Sequence, residues 1–356
     1  MQWGMVAMSD TDVLPVIDLE PLGTGDRAAI KRVADQMGSA AREAGFFYVA
    51  NHGISQSMIE SAYEAAEEFF AQPDEVKRGY YIGDSLNHRG YVPFTEKGDY
   101  ADEVNRNYEA FDLALDLPHD DPDYLAGNLL LGPNVWPALP GFRDRIGAYY
   151  AAVSSVGLRI CAALEMHLEL PTGELTRQMT KPISQLRLLH YVRARTTTQK
   201  KSVNMGAHTD YECLTLLHQR QKGLQVMTRN DEWVDVPVKP EAFIINIGDM
   251  LEAWTNGAFR STPHRVLNLS PERFSMPYFV AANYDAVIKP FPSLISPNNP
   301  SKYEAFKAGL HLERMLLRDF PYLRERRGER IWSATTDQTG PVQNPFEKRM
   351  NSAGAN

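Results

Sequence analysis

The sequence predicts a mixed α and β protein whose C-terminal half forms a closed or double-sheet β architecture behind a helical N-terminal region. Two observations carry that expectation. From Ile183 onward seven short apolar runs, QLRLLHYV, CLTLLHQ, GLQVMT, WVDVPV, FIINIG, HRVLNL and FSMPYFVA, are separated by turn residues. Such spacing favours paired or closed sheets over a βαβ layout. Before them, apolar residues recur at helical spacing in three stretches.

In chain order, residues 1 to 12 read as a flexible leader and Val13 to Leu19 as a short strand. Ile30, Val33, Met37, Ala40, Ala41 and Ala44 define a helix over 26–44 that Gly45 stops. The strand FFYVA follows, then the NHG turn, where His52 is expected to make a turn-stabilising hydrogen bond. Ser55 caps a second helix that ends before Pro73. Residues 74 to 140, rich in proline and glycine, read as an irregular covering with recurrent aromatics. A long helix over 142–168 backs the β region, with His167 expected at its surface end, and a last helix over 303–318 closes it. The segment 336–356 reads as a flexible tail.

The chain has 356 residues, 43% of them hydrophobic and 23% charged, as in a soluble globular protein. A net charge of −8 argues against nucleic acid as a partner, because phosphate binding needs a basic footprint. Cys161 and Cys213 are the only cysteines, so neither a disulfide framework nor a cysteine-based zinc cluster is available. No signal peptide and no stretch of membrane-spanning length is expected. A cytoplasmic enzyme without a membrane partner fits, and its oligomeric state stays open.

The stretch from Met205 to Ser275 carries the chemistry. In MGAHTDYECLTLLHQ, His208 and Asp210 are two residues apart, so on a strand both point to one face and can share an ion. His264 follows in STPHRV, at a separation that strands of a sandwich or barrel can close. Two imidazoles and one carboxylate leave coordination positions open, the set associated with non-haem Fe(II) oxygenases, with zinc as the competing ion. Further on, Arg273 and Ser275 in RFS share a face. A guanidinium fork beside a hydroxyl suits a carboxylate.

With those residues in this order, the chain resembles the 2-oxoglutarate-dependent Fe(II) dioxygenases of the isopenicillin N synthase-like group. The resemblance runs from about Val13 to about Phe320 and takes in LPVIDL, GFFYVANHGI, HRGY, RLLHY, GLQV and NIGDMLEAWTNG. It implies a double-stranded β-helix, or jelly roll, divided as an N-terminal helical and loop-rich region at 13–140, a backing helix and dioxygenase core at 141–290, and a C-terminal helical segment at 291–335. It implies Fe(II) at His208, Asp210 and His264. The distal carboxylate of 2-oxoglutarate goes to Arg273 and Ser275, with Tyr191 also at the co-substrate. Where plant members often read Asn-Tyr-Tyr-Pro, this chain has Leu189, His190, Tyr191 and Val192. The asparagine contact is therefore missing, and Arg187, four residues before Tyr191 on the same face, is the candidate to compensate.

The resemblance further implies that O2 and 2-oxoglutarate are consumed, that succinate and CO2 are released, and that a small organic substrate is hydroxylated, desaturated or cyclised. The segment 74–140 would wall the substrate cavity through His88, Arg89, Tyr91, Asn105, Arg106, Asn107, Tyr108 and Phe111. Tyr211, Cys213, Phe279 and Tyr284 flank the ligand strands and are expected in the lining. Arg193, Arg195, Lys200 and Lys201 crowd one connection, either as a solvated loop or as a lid that attracts an anionic substrate. Three alternatives stand beside this reading: an isopenicillin N synthase-like oxidase that uses no 2-oxoglutarate, an ethylene-forming-like enzyme, and a non-catalytic binding jelly roll.

Overall fold

The structure, a computed structural model, describes residues 14–94, 108–192 and 203–327. Strand β1 (Val16–Asp18) leads to helix α1 (Arg27–Glu43), strand β2 (Phe46–Ala50), helix α2 (Gln56–Phe70) and the short helix α3 (Asp74–Arg78). Strands β3 (Gly90–Val92) and β4 (Tyr108–Ala114) precede a helical turn, α4 (Pro122–Leu125), and the long helix α5 (Phe142–His167). The β region comprises β5 (Gln185–Val192), β6 (Val203–His208), β7 (Leu214–Gln219), β8 (Leu224–Met227), β9 (Trp233–Asp235) and β10 (Phe243–Ile247). After helix α6 (Asp249–Trp254) come β11 (His264–Leu267), β12 (Glu272–Val280), β13 (Val287–Ile288), β14 (Phe306–Lys307) and helices α7 (Ala308–Asp319) and α8 (Pro321–Arg327).

Local chemistry accounts for the helix boundaries. Asp26 accepts hydrogen bonds from the N–H groups of Ala28 and Ala29 and so caps α1. Val33, Ala34, Met37, Ala40 and Ala41 form its buried stripe, as expected from their spacing. The helix stops because Gly45 takes φ of 69°, and a Cβ there would meet the Arg260 carbonyl oxygen at 2.2 Å. Ser55 caps α2 through the N–H of Met58. His52 accepts from the N–H of Ile54, the turn-stabilising role expected of it. Helix α5 lies against α1, α2, β7 and β12. Its Gly157 lets it approach the sheet, since a Cβ there would lie 2.7 Å from Val280 Cγ2.

Two sequence expectations need correction at this level. The long helix, at 26 residues and with a mean hydropathy of 1.3 over its most apolar window, is long and apolar enough to cross a membrane by length and composition. Its face carrying Phe142, Ile146, Tyr149, Val153, Val156 and Ile160 is instead buried in the core. The segment 74–140 is more than a covering. Strand β4 within it is buried at every position and pairs along its whole length with β5, so the pairing partner, absent from any local pattern, makes it a strand.

Eight strands form one sheet in the order β1-β2-β10-β7-β12-β5-β4-β3, and four form a second in the order β6-β11-β8-β9. Among the described residues of these sheets, only β1 and β2 are strands that pair in parallel. Half of the large sheet thus comes from residues before 140. On its inner face Arg273, Ser275, Pro277 and Phe279 of β12 lie beside Tyr191, Leu189, Arg187 and Gln185 of β5, and beside Leu217 and Thr215 of β7. Met205 and His208 of β6, Leu224 of β8, and His264 and Val266 of β11 face them from the small sheet. Between the sheets is a cavity of about 1000 Å³, mouth included.

Candidate active site

The antiparallel register pairs His264 of β11 with His208 of β6, which puts their rings 4.3 Å apart. Asp210, just beyond β6, completes the group. One ligand atom from each of the three lies within 4.8 Å of the others. Asp210 Oδ1 is 3.5 Å from His264 Nε2 and 3.7 Å from His208 Nε2. The other carboxylate oxygen, Oδ2, accepts from Thr215 Oγ1 and from Asn246 Nδ2, the latter at 2.7 Å.

The imidazoles are oriented in the same way. Nδ1 of His208 donates to the Gly206 carbonyl at 2.8 Å and Nδ1 of His264 to the Thr262 carbonyl at 3.3 Å, because a carbonyl only accepts. That assigns the proton to Nδ1 and turns Nε2 toward Asp210 Oδ1. Burial pushes the Asp210 carboxyl upward, but His264 and His208, with the Thr215 and Asn246 hydrogen bonds, outweigh it and hold the group below the usual range. Two imidazole nitrogens and one carboxylate oxygen converging from one side fit a divalent metal and leave its other positions open. The turn carrying Asp210 is tied to α6: the Asp249 N–H donates to the Asp210 carbonyl, and the Asp249 carboxylate accepts from Thr209 Oγ1 and Ser261 Oγ.

A second group lies farther along β12. Arg273 is 2% exposed, yet among the described residues no carboxylate pairs with it. Its NH1 donates to Ser275 Oγ at 3.0 Å and its NH2 to Gln219 Oε1 at 3.3 Å, while Nε has no partner. The guanidinium carbon sits 4.9 Å from the centre of the Tyr191 ring. A buried guanidinium without a counter-charge is costly, and this arrangement can accept an anion. Arg187 also lines the cavity, but Asp112 holds it with a bidentate pair at 2.7 and 2.6 Å. Arg187 therefore enters the wall as a neutralised pair rather than as a second anion receptor.

Of the substrate candidates named from sequence, Tyr211, Phe279 and Tyr108 line the cavity. Four others do not. Tyr91 is turned to the far side of the sheet, where its hydroxyl donates to Glu109. Phe111 packs on Phe69 and Phe142. Cys213 is fully buried, with its N–H on the Val280 carbonyl. Tyr284 donates to Glu313 at 2.9 Å. In each case strand alternation or a buried polar partner directs the side chain away. His88 and Arg89 are likewise fully buried outside the lining, and His167 is half-buried, held between the side chains of Asp35 and Arg42. Asn105, Arg106, Asn107 and the basic connection at 193–201 fall outside the described residues.

Not foreseen from the sequence were Thr215 and Asn246, which hold Asp210, Gln219, which accepts from Arg273, and Gln185, Glu212, Leu312, Leu316, Asp319 and Phe320 of the lining. Asn246 left a signal as the lone amide inside the apolar run FIINI. Thr215 and Gln219 share the period-2 face of LTLLHQ. The residues of α7 left none, because only the tertiary fold brings that helix over the cavity.

Residues 14–139 match the family described as non-haem dioxygenase in morphine synthesis N-terminal, and residues 183–282 match the 2OG-Fe(II) oxygenase superfamily. A homoarginine-6-hydroxylase of Arabidopsis thaliana is 32% identical over 79% of this chain and 88% of its own length. A 2-oxoglutarate-dependent dioxygenase of Didymella fabae is 32% identical over 80% of this chain and 90% of its own. Among solved structures, a full-length Neurospora crassa protein in complex with alpha-KG superposes with a TM-score of 0.76 at 26% identity, covering 87% of this chain and 98% of that one. A 2OG-Fe(II) oxygenase family protein from Caulobacter crescentus gives the same TM-score at 28% identity, covering 86% and 99%. This chain belongs to the 2OG-Fe(II) oxygenases of the isopenicillin N synthase-like fold, with a jelly-roll core, and is a 2-oxoglutarate-dependent dioxygenase. Fe(II), 2-oxoglutarate and O2 are accordingly its cofactor and co-substrates. The alternatives of a co-substrate-free oxidase and a non-catalytic jelly roll fall.

Proposed function

We propose that His208, Asp210 and His264 hold the Fe(II), that Arg273 and Ser275 receive the distal carboxylate of 2-oxoglutarate beside Tyr191, and that the remaining cavity takes a small organic substrate for hydroxylation. The buried guanidinium of Arg273, without a carboxylate and on the cavity wall shared with the triad, carries this reading. Bound iron supplies the oxidising power, at the expense of O2 and 2-oxoglutarate and with release of succinate and CO2. The chain's own part is to fix and to shelter. Thr215 and Asn246 hold Asp210 in one orientation, and the Gly206 and Thr262 carbonyls hold the imidazoles. Phe46, Met205, Leu217, Leu224 and Val266 make the surroundings apolar, which keeps water from the reaction and strengthens each polar contact inside.

The relatives' names include a homoarginine hydroxylase, and the Neurospora crassa protein also crystallises with thymine, so substrate choice within the fold varies with the lining. The two cysteines, both free and buried, suit the reducing cytoplasm we propose as its setting. An anaerobic titration of the iron-loaded protein with 2-oxoglutarate tests the co-substrate site. The expected result is a saturable visible charge-transfer band of the chelated keto acid that disappears when oxygen is admitted. Iron bound without any band would remove Arg273 and Ser275 from that role.

A further inference from the structure

Among the polar side chains on the cavity wall, most are already committed. Arg187 is held by Asp112, Asp319 accepts from the hydroxyl of Tyr211, Asp210 from Thr215 and Asn246, and Arg273 with Ser275 forms the proposed co-substrate clamp. Two remain. Gln185 is 7% exposed, and its Nε2 is buried without a hydrogen-bond partner. Glu212 is 5% exposed, and among the described residues no other residue donates to its carboxyl group. Buried polar groups are nearly always partnered, so the unpartnered Gln185 Nε2, on the same wall as a carboxyl group served only by its own backbone N–H, marks where a ligand completes the set.

Their position separates them from the co-substrate clamp. Gln185 pairs with Phe279 and Thr215 in one row across the large sheet, whereas Arg273 pairs with Tyr191 in another, six residues along β12. At about 3.4 Å per residue the two rows are roughly 20 Å apart, too far for one short diacid to engage both. Glu212 precedes β7 by two residues, at the Gln185 end. Phe279, Leu312, Leu316 and Phe320 supply the apolar part of the lining.

We propose that Gln185 and Glu212 read an amide-type edge on the prime substrate, an N–H beside a C=O as in a carboxamide, lactam, urea or pyrimidinone. The Gln185 Nε2 donates to the carbonyl and the Glu212 carboxyl accepts from the N–H. A carboxyl group accepts an N–H whether or not it carries its proton, so the assignment holds in both states. A purely hydrocarbon substrate would leave the Gln185 Nε2 orphaned. An anionic one would find every cation of the described lining already committed.

The proposal deepens the dioxygenase reading above and rests on it, and calorimetry separates the two. Iron-loaded protein is titrated anaerobically with 2-oxoglutarate, and then, once saturated, with uracil or with benzoate. Uracil is expected to bind saturably and more tightly than benzoate. Gln185→Leu and Glu212→Leu, both still binding 2-oxoglutarate, should each weaken uracil by about tenfold or more, the cost of an orphaned partner. Normal 2-oxoglutarate binding with benzoate preferred, or with uracil unaffected by both substitutions, overturns the amide proposal alone. No 2-oxoglutarate binding by the wild type overturns the co-substrate site and the proposal with it.

Discussion

Strand β5 divides two buried charged groups that differ in one respect. On one of its faces His190 is bonded through Nδ1 to Glu109 and through Nε2 to Glu272, both at 2.8 Å, and stacks on Phe274. Glu109 also takes Lys77 at 2.7 Å and the hydroxyl of Tyr91 at 2.5 Å. Every charge there has its partner. On the other face, next to Tyr191, Arg273 is as deeply buried and has no counter-charge among the described residues. Apart from the exposed Glu272 both groups are buried, yet the first is complete in itself and the second is a cation without a counter-charge among the described residues. Satisfaction, more than burial, tells a structural network from a binding site.

Substitutions that treat the two groups alike would break this distinction. The largest effect belongs to the metal group itself: His208→Ala should abolish succinate release and leave little bound iron by elemental analysis, since neutral imidazole is a strong ligand and two donors hold the ion poorly. Turnover near normal would remove His208 from the ligand set. In the satisfied network, Lys77→Met leaves Glu109 buried without its cation and should cost about 3 to 5 kcal/mol in urea unfolding, with 2-oxoglutarate affinity in the folded protein kept. Arg273→Leu should do the reverse. Co-substrate binding falls by about 2 to 5 kcal/mol, while the ligand-free protein is no less stable, because the charge removed had no partner. A loss of stability in Arg273→Leu as large as in Lys77→Met would erase the contrast.

Two smaller effects sharpen it. Thr215→Val frees one side of the Asp210 carboxylate, and iron affinity measured by chelator competition should drop about 10- to 100-fold. His88 tests the cost of a buried group that is only half satisfied. Its Nδ1 is within 2.6 Å of the Tyr322 hydroxyl, its Nε2 has no hydrogen-bond partner, and burial, opposed in part by Asp112, holds its pKa down at about 3. Between its ordinary value of 6.5 and 3 the unfolded chain carries a proton that the folded one lacks. The stability from His88 is therefore complete above pH 6.5 and is lost as pH falls through that window, by about 1.4 kcal/mol per unit. His88→Asn should flatten the acid side of the unfolding profile by that slope, and parallel profiles for the two proteins would refute the buried neutral imidazole.

Much of this molecule is local information. The capped helices at Asp26 and Ser55, the stop at Gly45, the long helix from Phe142 and the strand runs after Ile183 all follow from periodicity and turn chemistry within a few residues. The pair Arg273 with Ser275 was legible for the same reason, since two-residue spacing on a strand puts side chains on one face, and His208 with Asp210 also share a face although Asp210 lies just beyond the end of β6. Tyr91 and Phe111 were misplaced because an aromatic residue in a covering segment looks the same whether it turns toward a cavity or toward Phe69.

By itself, then, the sequence determined which residues could ligate and which segments would be helix or strand, because those properties are carried by residue type and by periods of a few positions. The tertiary structure alone decided that His264 arrives opposite His208 across 56 residues of chain, that β4 joins the large sheet, that Asp112 neutralises Arg187, and that α7 supplies part of the lining. Each of these is a long-range pairing set by register and packing, and no local pattern encodes which distant partner will complete a buried group.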